Sequence, residues 1–247
     1  MTEKNANDFV LYYTSKGLIH ISNDVRINIL DELSKNELSL TDLVKITGKA
    51  QSTLSVHLDK MMKDEIIEVK EDPNDSRRKT YSIKALCIIR TTTPDPESFE
   101  KVGELFDEIS DDPKVMGSYI SSMILLSLDF LGLSVAPLAE SLGRTHAAAM
   151  SKNVKKGPID DVVSNLIKIY SYANLGEVTV FKRNPLTLVV KSGLKISKGA
   201  ANSFGMYAQG FFCQALSTIY GIEISVTHSE IFGAENNFYR FELDYKP

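Results

Sequence analysis

Gly48 separates two short helical patterns, and a charged strand-turn-strand pattern follows them at once, so residues 38–83 are constrained to two crossing helices backed by a hairpin. The apolar run from Leu40 places Leu43, Val44 and Ile46 on one helical face. Gly48, with no side chain, permits the left-handed turn between the helices. In residues 51–64, Leu54, Leu58, Met61 and Met62 recur at i, i+4, i+7 and i+8. That spacing predicts one buried stripe and leaves Ser52, Val56, Lys60 and Lys63 pointing outward. Ile66, Ile67 and Val69 read as a strand, residues 71–76 as a turn and residues 80–83 as the returning strand, which sets Arg77, Arg78 and Lys79 near the hairpin tip.

The chain has 247 residues and 43% hydrophobic content, enough for two globular domains. The division expected is 1–90, a linker and connecting helix over 91–112, and a second domain over 113–247. Its marker is Thr91-Thr92-Thr93-Pro94-Asp95-Pro96, where two prolines stop a helix from running through. The most apolar stretch, residues 120–133, is broken by Ser121, Ser122, Ser127 and Asp129, and the N-terminus lacks the pattern of a signal peptide. A soluble, cytoplasmic protein without membrane attachment is the expectation. Cys87 and Cys213 are too few and too distant in sequence for a disulfide scaffold or a thiolate metal cluster. The net charge of −4 argues against a binder of nucleic acid that relies on bulk positive charge. Cations are instead placed locally: Lys49 ahead of the second helix, Lys60 and Lys63 along it, and Arg77, Arg78 and Lys79 in the hairpin.

Phe9, Val10, Tyr12, Tyr13, Leu18 and Ile19 form an early apolar cluster, read either as a dimer contact or as packing on its own domain. Asn23 caps a helix carrying Val25, Ile27, Ile29, Leu30 and Leu33. A helix over 97–110 is expected from Phe99, Val102, Leu105, Phe106 and Ile109. The following helix, with Met116, Ile120, Met123, Ile124, Leu126, Leu128, Phe130 and Leu131, is apolar on nearly all sides and is expected inside the second domain. Strands are expected at 176–182, 186–191, 222–228 and 238–245, with a helix over 203–220 between them. The fold class is α+β, helices packed on an antiparallel sheet.

Gln51-Ser52-Thr53-Leu54-Ser55-Val56-His57-Leu58, followed by Asp72-Pro73-Asn74-Asp75-Ser76-Arg77-Arg78, resembles the ArsR/MarR winged-helix regulators over about residues 20–90. The resemblance implies a homodimer on double-stranded DNA, repressing until a ligand releases it. Gln51, Ser52, Thr53 and Ser55 would then meet base edges, and Lys49, His57, Lys60, Arg77, Arg78 and Lys79 the backbone. Two positions depart from the pattern: Val56 where many members carry a cation, and Glu65 where a helix-ending glycine is common. Metal sensing is not expected, because His20, His57, His146 and His228 lack ligand spacing.

The second half resembles the 4-vinyl-reductase domain family over about residues 115–245. The matching pieces are Gly132-Leu133-Ser134 through Gly143-Arg144, the strand after Leu175-Gly176-Glu177, and Gly210-Phe211-Phe212-Cys213-Gln214-Ala215-Leu216 leading to Tyr220-Gly221-Ile222-Glu223-Ile224. It implies an apolar cavity for a hydrophobic effector, aromatic or fatty-acyl. Met123 and Phe130, Phe204, Tyr207 and Phe211, and His146 and Met150 after a glycine-punctuated turn are its candidate lining, with His146, Tyr207 or Gln209 as polar anchors. The cysteine pair frequent in the family's final hairpin is replaced by Ile231 and Tyr239. No metal or cofactor is expected. An enzyme is disfavoured, since neither a Gly-x-Gly-x-x-Gly loop nor a nucleophile-base arrangement is present. An assembly module related to vesicle-tethering subunits is the remaining alternative, weakened by the N-terminal pattern.

Overall fold

The computed structural model describes residues 8–72, 75–98, 100–102, 113–172, 176–192, 196–233 and 237–245, with side chains left out at 72, 75–78 and 113–118. It divides into two compact units, Met1–Thr91 and Thr92–Pro247. The fold is α+β with antiparallel sheets in both.

The N-terminal unit starts with hairpin strands β1 (Val10–Thr14) and β2 (Gly17–Ile21), which join β6 (Leu86–Thr91) in the order β2-β1-β6. The early apolar cluster is therefore a sheet. Val10 and Tyr12 point into the core, whereas the cross-strand pair Tyr13 and Leu18 stays exposed. Helix α1 (Asp24–Leu33) starts at Asn23, whose side chain accepts a hydrogen bond from the Arg26 N–H at 3.1 Å. This satisfies one of the orphan donors of the first turn. Strand β3 (Leu38–Ser39) runs straight into α2 (Leu40–Thr47). There Ser39 and Asp42 exchange backbone and side-chain hydrogen bonds at 3.2 Å, a capping box. Those bonds hold the Asp42 carboxyl below its ordinary pKa.

Gly48 ends α2 at φ 64°, the left-handed turn its sequence position requires, and α3 (Gln51–Lys63) follows. Leu54, Leu58 and Met61 are buried against Ile29, Leu30, Leu33 and Leu43. Ile46 is half-exposed, contrary to expectation. Leu40, Leu43, Val44 and Thr47 centre the covered face, and Ile46 projects about 110° from that centre at 100° per residue. β4 (Ile67–Asp72) and β5 (Asp75–Ile83) form the hairpin, with β3 on the outer edge of β5. Both strands run further than the sequence suggests: Glu71 pairs with Lys79 and Asp72 with Asp75, so part of the expected turn, and Arg77 and Arg78 after it, are strand residues.

In the second unit, residues 97, 98 and 100–102 are helical, while the rest of the helix expected over 97–110 lies outside the described residues. The elements that follow are α4 (Pro113–Phe130), β7 (Leu133–Ser134), α5 (Ala136–Met150), a short 3-10 turn, α6 (Ile159–Tyr172), β8 (Glu177–Arg183), β9 (Leu186–Lys191), α7 (Lys198–Tyr220), β10 (Ser225–Phe232) and β11 (Phe238–Asp244). The sheet has the order β10-β11-β9-β8 and is antiparallel throughout. Leu188, Val190, Tyr239, Phe241 and Leu243 meet Ala208, Phe211, Phe212, Ala215 and Leu216 of α7, with Val163, Leu166 and Tyr170 of α6 closing the core.

Helix α4 is not enclosed. Tyr119, Ser122, Leu126 and Asp129 form its buried face, and Ile120 and Ile124 are exposed on the other. His146 and Met150, expected just beyond a turn, sit on α5, because Gly143 is a helical residue where α5 meets α7. A Cβ at Gly143 would lie 2.0 Å from the Tyr207 carbonyl oxygen, and one at Gly210 2.2 Å from that of Glu140. The two backbones approach as closely as they do only because both positions are glycine. Among the described residues, no helix is long and apolar enough to cross a membrane.

Candidate nucleic-acid interface and apolar groove

Helix α3 presents its first turn to solvent. Gln51, Ser52 and Thr53 are exposed, and Ala50 ahead of them supplies no side-chain cap. Ser55 is half-buried and its hydroxyl donates to the Gln51 carbonyl at 3.0 Å, so it is the least available of the four expected base readers. Val56 is 68% exposed, an apolar side chain facing water from the middle of the helix. Asp59 is exposed one turn further on, so the outward face turns anionic there. Of the expected base readers, Gln51 and Ser52 lie in the N-terminal half, about two turns from that carboxylate. Lys49 and Lys60 are exposed; His57 is half-buried on the flank. Burial, then the positive charges of Arg26 and Lys60, hold the His57 imidazole below its ordinary pKa.

Of the three hairpin cations expected to face a phosphate backbone, Lys79 is the one whose side chain is described. Lys79 is ion-paired across the strands to Glu71 at 3.1 Å, and Lys70 to Glu37 at 2.6 Å. Exposed pairs of this kind are worth about 0.2–1 kcal/mol. The side chains of Arg77 and Arg78 lie outside the described residues.

In the second unit an apolar groove of about 270 Å³ opens between α4, α5 and α7. Ile124 and Leu125 line one wall, Leu138 and Leu142 another, and Phe204 and Tyr207 the third. Of the expected ligand residues, only Phe204 and Tyr207 are there. Phe211 is fully buried, ring to ring with Tyr170 and Phe212 at 5.6 and 5.3 Å. Met123 packs against the small cluster of Tyr119, Leu126 and Ala200. Phe130 and Met150, at the ends of α4 and α5, are exposed. His146 stands behind the groove: its Nδ1 is 2.8 Å from the Tyr207 hydroxyl, and burial holds its pKa below the usual histidine range. Gln209 is committed elsewhere, accepting the Tyr239 hydroxyl at 2.8 Å.

Sequence reasoning missed Leu138 and Leu142. They are four residues apart on α5, a signal diluted by the alanines, serines and glycine around them. Ile231 and Tyr239, which the 4-vinyl-reductase resemblance sets against a cysteine pair, are direct cross-strand partners in the final hairpin. Among the described residues no group of three His, Cys, Asp or Glu is placed to hold a metal ion. Cys87 and Cys213 are free thiols whose pKa values burial pushes up to about 11 and about 12.

Residues 23–69 match the family described as bacterial regulatory protein, arsR family. The match covers the helix-turn-helix and supports a DNA-binding transcriptional regulator. It covers α1 to the start of β4, so the matched residues include the whole of the exposed α3 face. No curated protein sequence matches the chain. Two solved structures of the adhesin competence repressor (AdcR) from Streptococcus pyogenes overlap it in part. One is 22% identical, covering 25% of this chain and 46% of the repressor at a TM-score of 0.25. The other is 15% identical, covering 43% and 80% at the same score. The chain thus spans under half the length of the first.

Within the ArsR-type segment, Glu65 carries the left-handed conformation that closes α3, at φ 58°. It is the non-glycine residue with positive φ among the described residues. Its carboxylate accepts a hydrogen bond from the Ser15 hydroxyl of the β1–β2 turn and lies 3.9 Å from Lys84, which holds its pKa down.

Proposed function

We propose that the protein is a homodimeric transcriptional repressor whose C-terminal unit binds a hydrophobic small molecule, aromatic or fatty-acyl, and thereby alters its hold on DNA. The observation that carries this reading is the helix-turn-helix itself: α2 and α3 joined through left-handed Gly48, with the first turn of α3 exposed and uncapped. A second copy supplies the second reading helix, because successive major-groove half-sites repeat about one helical turn apart. The 4-vinyl-reductase resemblance and the apolar groove beside Phe204 and Tyr207 favour a ligand-binding role for the second unit. The Tyr207 hydroxyl, with His146 behind it, would orient the polar end of an otherwise apolar ligand.

DNA binding is tested by fluorescence anisotropy with a labelled duplex from upstream of the protein's own gene, titrated with salt. Several phosphate contacts per chain predict a log affinity that falls linearly with log salt, at about −0.9 for each phosphate neutralised. A flat salt response overturns the DNA reading. Native mass spectrometry of the freshly purified protein tests the ligand: an added mass that disappears under mild denaturation identifies its class.

A further inference from the structure

We propose that an open cleft of the second unit, between residues 153–155 and one face of α6, binds a small phosphorylated aromatic compound of the nucleotide class. The cleft shares no residue with the apolar groove, and the inference goes beyond the DNA-binding and effector readings without resting on either.

Helix α6 carries two faces. At 100° per residue, Val162, Val163, Leu166 and Tyr170 fall within one arc of about 100°, and all four are buried in the core. Asn165, Lys168, Ile169 and Tyr172, at i, i+3, i+4 and i+7, fall within a second arc of similar width, centred about 125° round from the first. The chain leading from α5 to α6 passes alongside this second face, so Asn153, Val154 and Lys155 line the same cleft of about 460 Å³. Sites for small molecules are concavities of about 300–1,000 Å³.

The wall facing α6 is held in place. The Val154 N–H donates to the Ser151 carbonyl at 3.0 Å, and Val154 and Ile159 pack against the core. The Gly157 carbonyl accepts the Tyr220 hydroxyl at 2.9 Å, and the Lys156 ammonium lies 5.6 Å over the Tyr220 ring. A wall pinned on both sides of Lys155 has little freedom left to lose when a ligand arrives.

The lining defines the ligand. Its charged groups are Lys155 and Lys168, and among the described residues no carboxylate lines the cleft. Asp160, at the start of α6, is paired to Arg183 at 3.1 Å instead. Two ammonium groups brought to one concavity repel each other, and a phosphate between them reverses the sign of that interaction. Tyr172 is 84% exposed, the highest value among the large hydrophobic side chains described, and its ring offers a face on which a planar ring can stack. Lys168 precedes it by one turn, about 6 Å along the axis, and Asn165 lies about 4.5 Å further back. Asn153 and Asn165 can each donate and accept hydrogen bonds, which suits sugar hydroxyls or the edge of a base. Half-buried Val154 and Ile169 supply the apolar surface between these groups. A nucleotide presents the ring, the hydrogen-bonding edge and the anion together.

The test is isothermal titration calorimetry of the full chain at low salt with AMP, GMP, adenosine and inorganic phosphate as probes. One nucleotide is expected per chain, bound about tenfold or more tighter than adenosine or phosphate, each of which carries part of the recognised chemistry. Lys155→Gln with Lys168→Gln should weaken nucleotide binding by about tenfold or more and remove most of its salt dependence. Tyr172→Ala should weaken it about 5–150-fold, the loss of one base stack, whereas Tyr172→Phe should retain it. Lys182→Gln with Lys198→Gln alters two exposed lysines outside the cleft and should leave affinity within about twofold of wild type. Thermal melting of each variant confirms folding. Absence of nucleotide binding, phosphate binding as tightly as AMP and GMP, or equal losses in the cleft and control pairs would each overturn the site, and each leaves the DNA and groove readings standing.

Discussion

Glu65 shows how a single residue was legible by position and surprising in detail. A helix that ends in a left-handed turn ordinarily uses glycine there, and the sequence marks the position by departing from it. What the sequence does not reveal is the reason a side chain is kept: Ser15, fifty positions earlier, donates to its carboxylate, and Lys16 of the same turn donates to the Lys63 carbonyl at the last residue of α3. The β1–β2 turn thus holds the end of α3. Glu65→Gly removes the backbone strain and the tie together; Glu65→Ala removes the tie and keeps the strain. In urea unfolding, the glycine variant should exceed the alanine variant by about fivefold in folding constant. Both should bind DNA more weakly than the wild type, since both free the end of α3. A glycine variant with undiminished DNA binding would reduce Glu65 to a conformational accident.

At the level of elements, short-range chemistry was readable and long-range pairing was not. Asn23, Ser39 and Gly48 act on atoms within five residues, so the starts of α1 and α2 and the turn into α3 follow from local sequence. The pairing of β1 with β6 joins residues as far apart as Val10 and Arg90, and nothing local in Phe9 to Ile19 distinguishes a strand edge from a dimer contact. Helix α5 was hidden for another reason: its packing relies on small residues, with Gly143 against Tyr207 and Gly210 against Glu140, so the usual large apolar markers are few. The same feature makes it sensitive. Gly143→Ala puts a methyl group into a backbone carbonyl, which α5 and α7 can relieve only by separating, and a loss of about 3 kcal/mol in denaturant unfolding is expected. Gly157→Ala, with no heavy atom within 4 Å of the added Cβ and no positive φ, is the control. It should be neutral or slightly stabilising through the unfolded chain.

For the whole molecule, the net charge of −4 speaks against a nucleic-acid binder that relies on bulk positive charge, and the cations are placed locally instead. Among the described residues, Lys79 and Lys70 of the hairpin are paired to Glu71 and Glu37, and Asp59 faces outward beside Lys60, so positive charge is interleaved with negative charge across this unit. A ligand changes DNA affinity only if it prefers one conformational state, and DNA must then change ligand affinity by the same factor, typically about 5–150-fold. On the proposed ligand-binding reading of the groove, a substitution there separates the two activities. Leu142 lines it and is 51% exposed, so Leu142→Trp extends a larger side chain into the groove at a position where the core is not disturbed. Basal DNA binding should stay within about twofold of wild type, while the effect of the co-purifying or identified ligand on that binding disappears. If the tryptophan variant still releases DNA on ligand addition with wild-type midpoint, the effector acts elsewhere than the groove between α4, α5 and α7. If it loses DNA binding without any ligand, the groove is coupled to the DNA-competent state by its filling alone, and the added indole is acting as the effector.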